Sequence, residues 1–185
     1  MTDMEFSTTL WLWVGVAGMT AGTLPTAYRL LFGGENRDLS AVLFGITGIA
    51  AVAYLIMAFG YGTITVAGSS VEVVRYTDWL LTTPLMVLYL ALLSQPGRRA
   101  ISALVAVDVV VIVAGVAATA AGGITQYLLF GVGTLAYLVL VWLLVQTLPR
   151  RASFASTRQE SAFVTLRNLT VVLWTLYPVV WLLAP

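Results

Sequence analysis

Six long apolar stretches, covering roughly residues 8–32, 38–61, 72–93, 99–120, 124–148 and 161–184, constrain this chain more than any other feature. Each is long enough to cross a hydrocarbon core of about 30 Å as a helix rising about 1.5 Å per residue. Within oil the backbone must satisfy its own hydrogen bonds, so such stretches fold as helices packed side by side. The breaks between them are short and polar or glycine-rich: GGEN near Gly33, VAGSS near Gly68, QPG at Gln95, AGG at Ala121, and a longer polar run from Pro149 to Glu160. The expected fold class is therefore all-α, an integral membrane helical bundle with six transmembrane helices forming one domain over 1–185.

Composition agrees and removes several chemistries. Of 185 residues 60% are hydrophobic and 9% charged, with a mean hydropathy of +0.96, far outside the range of soluble domains. There is no histidine and no cysteine, which excludes thiol nucleophiles, imidazole bases, His or Cys metal sites and disulfides. All nine basic residues are arginine, and their positions set an orientation. Arg29 and Arg37 flank the first connection, Arg98 and Arg99 the third, and Arg150, Arg151, Arg158 and Arg167 the fifth, whereas Asp3, Glu5 and Glu72 lie on the other side. Connections rich in arginine stay in the cytoplasm, so the N-terminus is expected outside the cell.

Against this background RYTDWLLTTPLMVLY, from Arg75 to Tyr89, places charge inside oil. Ionised side chains there cost several kcal/mol even on lenient insertion scales, so they mark a site. Arg75 and Asp78 are three residues apart and Asp78 and Thr82 four, which puts all three on one helical face. Tyr89 returns to that face roughly 16 Å further on. Asp78 with Arg75 is either a structural ion pair or a counter-ion arrangement, in which the carboxylate stabilises a buried cation and accepts its proton. Thr82 and Thr83 either bond back to their own helix or, for Thr82, to Asp78. Asp108 is a second intramembrane acid with no partner evident along the chain, expected to be a protonated, hydrogen-bonded structural carboxyl, with a proton-carrying role as the alternative. Trp174, Tyr177 and Trp181 share a face of the sixth segment, Phe130, Gly133 and Tyr137 repeat the spacing on the fifth, and Trp79 adds an indole. Such stripes are ordinarily packing, but two aromatic walls around a small residue also make a slot for a long, flat apolar molecule. Pro178 within the sixth segment invites a kink there.

These motifs, RYTDWLLTTP at Arg75 and RNLTVVLWTLYPVVW at Arg167, supported by YLIMAFGYG at Tyr54, resemble those of the haloarchaeal microbial rhodopsins, and the likeness extends over the whole chain. Gly133 and the run following Leu166 resemble sensory rhodopsin II most, with a middle-rhodopsin subgroup next. The resemblance implies a seven-helix fold holding all-trans retinal through a Schiff base to a lysine of the seventh helix. It implies that Asp78 is the counter-ion and proton acceptor, with Arg75 and Thr82 beside it, and that Tyr54, Trp79, Thr83, Met86, Val111, Phe130, Gly133, Tyr137, Trp174, Tyr177 and Trp181 surround the retinal. No lysine occurs in the sequence, which stops after the sixth segment, so a longer receptor is expected.

Proton pumps of this family carry a carboxylic acid where Tyr89 stands. Tyrosine, with an ordinary pKa near 10, is a poor proton donor at neutral pH, and a slowly reset state suits signalling. The resemblance therefore implies a photoreceptor, not an enzyme, that signals to a two-helix transducer beside the sixth and seventh helices. Lipid is the surrounding partner, a homo-oligomer is compatible with the reading, and no nucleic-acid partner or metal is expected. A light-driven proton pump and a non-photochemical helix bundle are the alternatives.

Overall fold

In the computed structural model, residues 3–33, 36–66 and 69–183 are described. Helix α1 (Asp3–Phe32) is followed by α2 (Arg37–Ala58), residues 34 and 35 of the expected GGEN break lying outside the described residues, and α2 leads into a two-stranded hairpin of β1 (Thr63–Val66) and β2 (Ser69–Glu72). Then come α3 (Val73–Ser94), α4 (Arg98–Ala120), α5 (Gly123–Arg150) and α6 (Thr157–Leu183). Among the described residues, α2 to α6 are each long and apolar enough to cross a membrane. The 30-residue α1 is the longest, but tryptophan, threonine and glycine dilute its hydropathy. The exposed surface is crowded with leucine, valine and aromatic side chains, as lipid contact demands.

The hairpin replaces the simple turn that the sequence suggested between the second and third segments. TITV and SSVE alternate their side chains and pair antiparallel, Thr63 opposite Glu72 and Val66 opposite Ser69. Gly68 itself lies outside the described residues. In α5, residues Leu143–Thr147 form one π-helical turn, just before Pro149. Proline has no N–H to give to the carbonyl four residues back, and a locally widened turn accommodates the missing bond.

From α1 to α5 successive helices pack as neighbours, whereas α6 leans mainly on α3. The most buried core lies in the half towards the α3–α4 turn: Val87, Leu90, Ala91 and Leu93 of α3 meet Leu104 of α4, Leu140, Leu144 and Leu148 of α5, and Phe163 of α6. The polar connection after α5 closes this end. Ser153 N–H donates to the Ser94 carbonyl (2.8 Å), and Gln159 Nε2 donates to the Leu93 carbonyl (2.7 Å). Terminal carbonyls of α3, which have no partner in their own helix, are satisfied in this way. Hydroxyls inside the bundle are mostly bonded back to their own helix, as with Thr23, Thr47, Ser94 and Thr170.

Candidate functional site

Asp78 sits in the first half of α3, 5% exposed, and the Thr82 hydroxyl one turn on donates to the Asp78 main-chain carbonyl at 2.8 Å. Asp78 Oδ1 has no hydrogen-bond partner among the described residues. Arg75 forms no ion pair with it: the Arg75 guanidinium pairs with Glu72, the last residue of β2, where both side chains are partly exposed. Of the two readings of Arg75 and Asp78, the structural ion pair is therefore not what forms. A carboxylate buried without a cation is strongly unfavourable, so this geometry calls for either a proton or a positive group that the described residues do not supply.

A cavity of about 320 Å³, within the size range of ligand sites, lies between α3, α4, α5 and α6. Eight of the residues expected to hold a flat ligand line it: Trp79, Thr83, Val111, Phe130, Gly133, Tyr137, Trp174 and Tyr177. The Trp79 indole meets the Tyr177 ring edge to face (4.9 Å, 90°) and the Tyr76 ring likewise (5.6 Å, 88°), which gives one end a rigid aromatic wall. At Gly133 a Cβ would lie 3.4 Å from the Ala114 Cβ and 3.6 Å from the Val111 carbonyl, so the small residue lets α5 approach α4 closely beside the cavity.

The remaining expected residues are placed elsewhere. Tyr54 on α2 does not line the cavity; its half-buried ring packs over Gly15 of α1, where any Cβ would overlap it. Met86 is half-buried on α3, also off the cavity wall. Trp181 belongs to α6, but its side chain lies outside the described residues. Tyr89 packs against the apolar cluster at the far end of α3.

Three features go beyond the reading of the chain. Asp108, fully buried on α4, lines the cavity, and Thr83 Oγ1 of α3 donates to its Oδ2 at 2.8 Å. The same hydroxyl lies 2.9 Å from the Trp79 carbonyl. It has one hydrogen for two acceptors, so a neutral Asp108 that donates back to Thr83 would satisfy both contacts. Tyr76, Ile112, Gly115, Thr134, Leu173 and Pro178 complete the wall. Tyr76 stands three residues before Trp79, and Ile112 and Gly115 four and seven after Asp108, so a helical count from Trp79 and Asp108 would have found these three. Tyr137 of α5 is bonded to Thr175 of α6 across the cavity edge.

Residues 6–185 match the model of the bacteriorhodopsin-like proteins. The chain belongs to that family. It is 46% identical to Sensory rhodopsin-2 of Natronomonas pharaonis over 175 residues, taking in 94% of this chain and 73% of that one. It is 51% identical over 158 residues to Sensory rhodopsin-2 of Halobacterium salinarum, covering 85% of this chain and 66% of the other. Among solved structures, the thermophilic rhodopsin from Rubrobacter xylanophilus superposes with a TM-score of 0.86 at 40% identity, over 94% of this chain and 79% of its own. This bacteriorhodopsin-like chain is thus a multi-pass membrane protein of the microbial rhodopsin fold.

Proposed function

We propose that this chain acts as a retinal-binding photoreceptor of the sensory rhodopsin-2 type. The observation that carries the reading is the buried Oδ1 of Asp78, without a hydrogen-bond partner among the described residues, on the helix that also supplies Trp79 and Thr83 to the cavity wall. An aromatic slot beside an uncompensated carboxylate fits an elongated apolar group that ends in a cation. The identity to two proteins named Sensory rhodopsin-2 supports the same choice.

When bound, all-trans retinal supplies light absorption, a change of shape and, through its linkage to a lysine outside these 185 residues, the positive charge. The chain's own residues do the rest. Asp78 holds a negative charge opposite that cation and offers Oδ1 as the atom that receives a proton, while Thr82 fixes the local turn. Trp79, Trp174 and Tyr177 hold the slot flat, and Phe130, Val111 and Gly133 shape its other wall. Arg75, held by Glu72, keeps its charge at the outer end. Tyr89, in its apolar surroundings, supplies no acid for rapid proton return, so the altered state lasts and α6 has time to move about Pro178. In this reading a two-helix membrane transducer docks beside α6, the N-terminus is extracellular as the arginines indicate, and the plasma membrane is the site of action.

Full-length protein supplied with all-trans retinal is expected to develop a visible absorption band. Absence of a band would eliminate the photochemical reading. Sustained light-driven acidification at a rate matching fast pumps, in vesicles that lack a transducer, would replace the sensor by a proton pump.

A further inference from the structure

Two hydroxyls tie α5 to α6 at the edge of the cavity. Tyr137, 8% exposed and lining the cavity with its ring, places its hydroxyl 2.6 Å from Thr175 Oγ1 and 3.1 Å from the Val171 carbonyl. The Thr175 hydroxyl in turn donates to the Val171 carbonyl at 2.6 Å. That commits the threonine's single hydrogen, so the phenol is the donor to Thr175 Oγ1, with the Val171 carbonyl as its second acceptor. Each hydrogen has an acceptor and no donor is left over.

The tie meets α6 where its own backbone ladder is weakest. A threonine hydroxyl on the carbonyl four residues back competes with the main-chain N–H for that oxygen and bends helices. Three residues later Pro178 removes the N–H that would have bonded the Trp174 carbonyl. Trp174 and Pro178 both line the cavity, as does the ring of Tyr137. One side chain of α5 therefore touches the cavity with its ring and the pliable stretch of α6 with its hydroxyl.

We propose that Tyr137 is a positioning residue: with Thr175 it clasps α6 to α5, and the molecule held in the cavity acts on α6 by turning the Tyr137 ring and opening that clasp. This rests on the photoreceptor reading for the nature of the occupant, but the clasp itself is a property of α5 and α6. The bond count ranks the variants. Tyr137→Phe keeps the ring and leaves Thr175 satisfied by Val171, so it removes the clasp alone. Thr175→Val leaves the phenol its second acceptor and loosens the clasp less. With the phenol gone, a further Thr175→Val change has no clasp left to weaken, so the double variant should match Tyr137→Phe, where two independent packing defects would add.

The test uses the full-length, retinal-loaded protein with spin labels at Ser102→Cys on α4 and Ser161→Cys on α6; native cysteines are absent from these 185 residues. Both serines are exposed. Distances are recorded in the dark and after light, together with the recovery rate of the visible band. Tyr137→Phe is expected to raise the fraction of the long-distance form in the dark roughly three-fold, the usual size of an interhelical hydrogen bond within a membrane. Its recovery should slow, with Thr175→Val in between and the double variant equal to Tyr137→Phe. Unchanged distances and recovery in Tyr137→Phe, or additive effects in the double variant, would overturn the clasp. Should Tyr137→Phe not take up retinal, Thr175→Val alone decides by the same two readouts. Wild-type protein that forms no visible band would instead refute the photoreceptor reading, and with it the action of the occupant on Tyr137.

Discussion

Arg75 is paired with Glu72, three residues before it at the end of the hairpin, and not with Asp78, three residues after it on the same helix. Both members of the pair are partly exposed, so its net contribution to stability is small, about 1 kcal/mol or less. Its effect is on position: it engages the guanidinium with Glu72 rather than in an ion pair with the buried carboxylate. Glu72→Gln should free Arg75 to turn towards Asp78 and offset part of that negative charge. The visible band of the retinal-loaded protein should then move to longer wavelength, by less than removal of the charge itself would cause. A shift to shorter wavelength would contradict this geometry.

Asp78→Asn removes the negative charge that stabilises a cation in the ground state. The band is expected to shift to longer wavelength and the light-induced proton transfer to Asp78 to vanish, measured by absorption and by infrared difference spectroscopy. An unchanged spectrum would remove Asp78 from its assigned role.

The Thr83 and Asp108 pair joins α3 to α4 across the cavity wall. Thr83→Val leaves the Asp108 carboxyl buried without that partner and should lower stability by about 1–3 kcal/mol, seen as earlier thermal loss of the band. Asp108→Asn keeps size and a donor and should cost less. It should also abolish one infrared band of a neutral carboxylic acid. Loss of a carboxylate band instead would show Asp108 to be ionised.

Gly133→Val adds bulk where a Cβ alone would already reach contact distance, 3.4 Å, from the Ala114 Cβ. The strain of overpacking is about 1–3 kcal/mol, and α5 can relieve it only by moving off α4. Both the yield of retinal-loaded protein and its thermal stability are expected to fall. Equal yield and stability would mean that the α4–α5 approach does not depend on the glycine.

The extent of the helices was legible in the sequence because length and hydropathy are local properties. The segment at 72–93 became Val73–Ser94 and that at 99–120 became Arg98–Ala120. The shared face of Asp78 and Thr82 was legible for the same reason: it follows from the helical repeat alone. Tyr54 and Met86 show the limit of that reasoning. Their positions on α2 and α3 could be read from the chain, but whether either reaches the cavity depends on how neighbouring helices are rotated.

By itself, then, the sequence determined the membrane helices, the costly charges within them and the aromatic stripes, all of which arise from residues near one another in the chain. Tertiary structure alone decided which groups meet. Arg75 had acids within one turn on either side and took Glu72, because the hairpin brings that carboxylate to the end of α3. Asp108 found Thr83, 25 residues away, and Tyr137 found Thr175, 38 away. Such pairs form when buried polar groups on separate helices have no water to turn to, and their partners are fixed by helix rotation and depth, which no local pattern records.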